Sequence, residues 1–175
     1  MNRRYFLGFA LSTTATSVFA AKRRPQARCL RLHHLHTEEH LDIDYRTGNY
    51  YHRGALARLN EFLKDFRTGD LTPIDPRLFD TLFDLQQRLD SEGTPFQILS
   101  AYRSPRTNAM LRRTSRGVAK RSFHMSGRAL DIRLADTPTS LICKTALQLA
   151  RGGVGYYPRS DFLHIDTGQV RHWGV

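Results

Sequence analysis

Cysteine is scarce in this chain. Its 175 residues hold two, Cys29 and Cys143. Two cysteines make no disulfide framework, and neither has a second cysteine at the spacing of a thiolate zinc site. Export would permit them to pair, but the sequence alone does not bring them together. Cys143 lies in an apolar helical run and reads as core. Other absences narrow the chemistry. There is no Gly-x-Ser-x-Gly nucleophile elbow, so serine hydrolase chemistry has no support. There is no glycine loop to cradle a phosphate, no internal repeat and no low-complexity tract. Beyond the N-terminus no apolar run approaches the length of a membrane span. Acidic residues are in deficit, 16 against 27 lysines and arginines, for a formal net charge of +11. Such a surface suits an anionic polymer.

The N-terminus is unlike the rest. Asn2-Arg3-Arg4-Tyr5-Phe6-Leu7 precedes an apolar, Ser/Thr-rich run that ends at Val18-Phe19-Ala20. A twin arginine, a short apolar run and a small-residue cleavage site read as a twin-arginine export signal over residues 1–20, and so predict a periplasmic protein. An uncleaved anchor is the other reading of that run. Residues 21–28 form a basic lead-in, and residues 29–175 form one domain. Residues 1–20 carry only Arg3 and Arg4, so the mature chain stays strongly basic. Export favours murein over nucleic acid as the anionic partner, and no nucleic-acid motif is present. Arg112, Arg113, Arg116, Lys120 and Arg121 cluster shortly before His124.

Periodicity predicts a β-hairpin over Cys29–His36 and His40–Tyr45. Its histidines His33, His34, His36 and His40 fall on both faces of a strand, so they cannot all converge on a metal; surface or partner contact is expected. A helix follows over Gly54–Phe66. A second starts at Asp75-Pro76, with proline at its first position, and runs to Leu89. Phe96–Ala101 is a strand, Thr107–Arg113 a short helix, Arg128–Leu134 a strand and Ser140–Ala150 a helix. Strands over Val154–Tyr157 and from Asp161 to Asp166 follow, then a tail strand near Val170–Trp173. The expected fold is α+β: a small antiparallel sheet with helices packed on one side.

The chemistry concentrates in two stretches. In Ser122-Phe123-His124-Met125-Ser126-Gly127-Arg128-Ala129-Leu130-Asp131, a histidine precedes a turn and an aspartate sits inside the strand that follows. Aspartate is disfavoured there, so Asp131 needs a reason to be present. In Asp161-Phe162-Leu163-His164-Ile165-Asp166, His164 supplies a second imidazole. His124, Asp131 and His164 form a two-histidine, one-carboxylate set, and three protein ligands with room for water is the pattern of a catalytic zinc site. Arg103, where the Phe96 strand gives out, can bind a substrate carboxylate or steady an oxyanion. Asp166 either orients His164 or is an exposed strand-end residue. His172 either reaches the site or packs at the surface.

Ser-x-His-x-x-Gly-x-Ala-x-Asp followed by Asp-x-x-His resembles the zinc peptidases of the hedgehog/D-Ala-D-Ala metallopeptidase superfamily, and within it the MepK-like murein endopeptidases. The resemblance spans the mature chain and implies a hedgehog/D,D-peptidase-like fold. It implies zinc on His124, Asp131 and His164, a general base at Asp161, and a substrate-side arginine at Arg103 within Tyr102-Arg103-Ser104. It also implies hydrolysis of crosslinks between two diaminopimelate residues of murein. The chain itself is expected to be a monomer. D,D-carboxypeptidase or L,D-endopeptidase action on other murein bonds, and a zinc-containing murein-binding module without turnover, are the alternatives. Strict alternation sets Asp161 and His164 on opposite faces, so the strand must start after Asp161 or bend there.

Overall fold

The computed structural model describes residues 26–115 and 117–175. The export signal over residues 1–20, most of the basic lead-in and Arg116 lie outside them.

The hairpin forms as expected. β1 (Ala27–His34) pairs antiparallel with β2 (His40–Thr47), and β1 starts two residues before Cys29. β3 is the short Tyr50–Tyr51. α1 (Arg53–Phe62) is shorter than its apolar pattern. Asp65 is the reason. It is buried, and its carboxylate accepts from the backbone N–H of Arg67 at 3.0 Å and of Ser104 at 2.8 Å. The chain must turn inward to make those bonds, so Phe66 leaves the helix and stacks on His36. α2 (Pro76–Arg88) is capped by Asp75, whose side chain accepts from Arg77 N–H, with proline at the first position. It buries Leu78, Phe79, Leu82 and Leu85 along one stripe.

β4 (Phe96–Ser100), α3 (Pro105–Thr114), β5 (Ala129–Leu134), α4 (Thr139–Leu149), β6 (Gly153–Tyr157), β7 (Phe162–Asp166) and β8 (Arg171–Trp173) complete the described chain. The architecture is α+β, but the sheet is neither small nor purely antiparallel. Its eight strands run in the order β3-β2-β1-β4-β5-β7-β6-β8, with β1/β4 and β6/β8 parallel. A parallel pair needs a long crossover, and β1 reaches β4 through α1 and α2. Such pairing joins strands distant in sequence and leaves no local signature.

Helices α1, α2 and α4 pack on the sheet. The core lies between these layers, with Leu30, Leu32, Ile98, Leu130, Ile132, Leu163 and Ile165 fully or almost fully buried. Alternation then sends Asp131 and His164 to the opposite face. There the register aligns one row across four strands: Asp131 pairs with His164, His164 with Gly155, and Gly155 with Trp173.

The hairpin histidines divide. His34 is only 1% exposed, edge-on to Phe62 and Phe66, so the surface expectation is wrong for it: it falls on the core-facing register of β1 beside Leu32. His33 and His40 stack on each other. Cys29 is exposed, Cys143 is buried, and both are free thiols.

Candidate metal centre

His124 stands in a short 3-10 turn, Phe123–Ser126, and its own N–H donates to the capping Ser122 hydroxyl. Gly127 closes the turn at a φ of +65°. A Cβ there would lie 2.3 Å from the Pro73 carbonyl oxygen, so both the backbone angle and the close approach require glycine. Arg103 N–H donates to the His124 carbonyl, which ties the turn to the end of β4.

Each imidazole is oriented by the nitrogen that faces away from the site. His124 Nδ1 is 2.7 Å from the Ala101 carbonyl oxygen. A carbonyl only accepts, so Nδ1 carries the proton and Nε2 presents a lone pair. His164 Nε2 is 3.1 Å from Asp166 Oδ2, so Nδ1 presents the lone pair of that ring. Asp166 is not an exposed strand end. Its side chain is fully buried and also accepts from Gly153 N–H, Gly168 N–H and both ends of the Arg171 fork.

Three lone-pair atoms therefore converge. His124 Nε2 lies 3.2 Å from Asp131 Oδ1, His164 Nδ1 lies 2.9 Å from the same oxygen, and the two nitrogens are 3.3 Å apart. Acceptors held this close, nearly out of water, repel one another unless a cation sits among them. Among the described residues, this is the group of histidine, cysteine and acidic side chains able to hold a metal. Two imidazole nitrogens and a carboxylate oxygen fit a divalent transition metal. The electrostatics agree. Burial alone would raise the Asp131 carboxyl, yet His124 and His164 outweigh it and hold its pKa far below the usual range. Burial opposes a charge on His164, but the carboxylates of Asp131 and Asp166 beside it favour positive charge there and lift its pKa above the ordinary value. Enclosure keeps the pKa of His124 below its own ordinary value. The second Asp131 oxygen is taken by Arg103, whose Nε also donates to Ser100 Oγ at 2.7 Å.

The triad lies at a cavity of about 680 Å³, lined also by Arg103, Arg121, Arg171, Tyr157 and Trp173. Trp173 crosses Gly155, where a Cβ would stand 2.4 Å from the indole; it approaches the His164 ring and donates Nε1–H to Tyr157 Oη at 2.9 Å. Sequence reasoning passed over Trp173 for its neighbour His172, which is exposed and off the cavity wall. The signal was a lone tryptophan beside a glycine-rich strand, readable only once β6 and β8 are known to pair.

Asp161 does not join the triad. It precedes β7 with a φ of +48°, its carboxylate accepts from Thr139 Oγ1, and Arg133 is 3.8 Å away. Its neighbours Ser160 and Phe162 line the cavity. The strand does start after Asp161, as the alternation demanded.

The matching family model is described as peptidoglycan L,D-endopeptidase MepK and covers residues 22–173. The peptidoglycan L,D-endopeptidase MepK of Escherichia coli (strain K12) is 46% identical, over 98% of this chain and 97% of the relative. A Haemophilus influenzae relative named "Probable peptidoglycan L,D-endopeptidase MepK" is 37% identical, over 95% of this chain and 90% of the relative. With the model matched over nearly the whole chain and relatives this close, the chain belongs to the MepK family of peptidoglycan endopeptidases.

Proposed function

We propose that this chain is a zinc-dependent endopeptidase that hydrolyses L,D crosslinks in the peptide part of peptidoglycan, in the periplasm, after export on the twin-arginine signal of residues 1–20. The observation that carries the metal part is the convergence of His124 Nε2, Asp131 Oδ1 and His164 Nδ1, each with its lone pair free because its other polar atom is engaged elsewhere. The names of the similar proteins support the substrate class.

Zinc held by His124, Asp131 and His164 would supply a Lewis acid for the scissile carbonyl and a bound water with its pKa lowered to about 7. The chain does the rest. Asp166 and the Ala101 carbonyl fix the two imidazole tautomers. Arg103 neutralises Asp131 and, at the cavity wall, is assigned to steady the charge that develops on the carbonyl oxygen. Asp161 is assigned the proton transfer from water to the leaving amine. That role requires its side chain to turn from Thr139 toward the cavity that its two neighbours line.

The test is to incubate the zinc-loaded mature protein with purified crosslinked murein and identify the released muropeptides. Loss of dimers joined by L,D bonds supports the reading. Removal of terminal D-alanine alone would make it a carboxypeptidase. Binding to murein with no release would make it a non-catalytic module.

A further inference from the structure

Three guanidinium groups line the cavity, and two are already engaged. Arg103 donates to Ser100 and Asp131. Arg171 grips both Asp166 oxygens, at 3.0 and 2.6 Å, and donates to the Gln169 carbonyl. Its guanidinium also lies near the rings of Phe123 and Trp173, at 5.3 and 5.2 Å. Arg121 is different. It is exposed, lines the same cavity three residues before His124, and makes no hydrogen bond or ion pair among the described residues. Asp131 is the carboxylate on the cavity wall, and both its oxygens are committed to the triad and Arg103. No acidic group on the wall is left to pair with Arg121, so its guanidinium is available to an anion that the substrate brings.

The substrate class supplies one. When the amine of one diaminopimelate is acylated by another, the carbon bearing the scissile nitrogen also bears a carboxylate. That carboxylate enters the cavity together with the bond to be cut. A planar guanidinium takes it through two parallel N–H donors. Resting on the endopeptidase reading above, we propose that Arg121 is a specificity-determining residue that binds the free carboxylate on the amine side of the scissile bond. Arg103, which the sequence suggests for a substrate carboxylate, is instead tied to Asp131.

The test compares two crosslinked muropeptide dimers, one with that carboxylate free and one with it amidated. The quantity read is the ratio of their kcat/KM values, with zinc content measured on the same samples. Wild type favours the free acid by roughly 10- to 100-fold, the worth of a charge-assisted hydrogen-bond pair. Arg121→Gln brings the ratio close to one at unchanged zinc content, and Arg121→Lys restores part of it. A wild type without preference, or an Arg121→Gln that keeps the preference, overturns the inference while leaving the endopeptidase reading in place. A zinc-loaded wild type that cleaves neither dimer overturns both.

Discussion

Nδ1 of His164 lies 2.9 Å from Oδ1 of Asp131, and the two residues stand directly opposite each other on the neighbouring antiparallel strands β7 and β5. The register that buries Leu130, Ile132, Leu163 and Ile165 against the helices is therefore the register that sets both candidate ligands on the far face. A slip of one residue in either strand would expose core side chains and scatter the site. Fold stability and ligand geometry are enforced by the same pairing. His124 completes the set from a turn locked by Gly127.

The first consequence is a metal stoichiometry. About one zinc per chain is the expected content of the purified protein. His124→Ala, Asp131→Ala and His164→Ala each lose it, whereas His33→Ala and His36→Ala retain it. Metal analysis of purified variants checks this, and full zinc in any of the first three removes that residue from the ligand set.

Asp166 sets the His164 tautomer without touching the metal position. Asp166→Asn weakens zinc affinity by roughly 10- to 100-fold, the usual effect of losing a partner behind a ligating histidine. Competition with a chelator of known affinity measures it, alongside a thermal melt to separate a general loss of fold. Unchanged affinity means that the Ala101-type backbone lock on His124 suffices and Asp166 serves only Arg171 and the loop N–H groups.

Asp161→Asn keeps fold and zinc and slows murein cleavage by roughly two to four orders of magnitude, as expected for loss of a general base. Thr139→Ala, which removes the hydroxyl now donating to Asp161, has a much smaller effect. Equal, small losses in the two variants would make Asp161 a structural tie between β7 and α4.

The sequence carried some of this structure plainly and hid the rest for identifiable reasons. Two-residue alternation placed Asp131 and His164 on the non-core faces of β5 and β7, and Asp75-Pro76 marked the start of α2. These are local signals. The eight-strand extent of the sheet and its parallel pairs join segments far apart in sequence, so no local pattern encodes them. The early end of α1 depends on Asp65 finding Ser104, 39 residues away. The direction of Asp161 depends on a left-handed backbone angle that a non-glycine residue seldom adopts. The use of Arg171 and Trp173 appears only when β8 is laid beside β6.

A second carboxylate, Asp80 on α2, is expected to contribute to stability in acid. Asp80 accepts from Tyr45 Oη at 2.9 Å, Tyr51 Oη at 2.5 Å, Arg46 at 2.7 Å and Arg28 at 3.2 Å. Burial alone would raise its pKa, but the bonds from Tyr51, Arg46 and Tyr45 outweigh it and depress the folded value. A depressed carboxyl contributes its stability in full above the unfolded value of about 4 and loses it as the pH falls below that toward the folded value. Asp80→Asn is therefore destabilised by about 2 kcal/mol at pH 7, and its deficit relative to wild type shrinks in acid. Denaturant midpoints of both proteins across the acid range, at matched zinc, give the comparison. A deficit independent of pH would mean that Asp80 acts by shape rather than charge.

The central claim is that the three converging lone pairs hold the metal that performs the hydrolysis. Its most direct test is to strip the mature protein with a chelator, add zinc in steps, and measure the rate of crosslink release from murein against bound zinc. The rate should be negligible without metal, rise in proportion to bound zinc and level off at about one per chain. A metal-free chain that cleaves at the full rate, or a rate that does not follow zinc bound at His124, Asp131 and His164, would contradict the account.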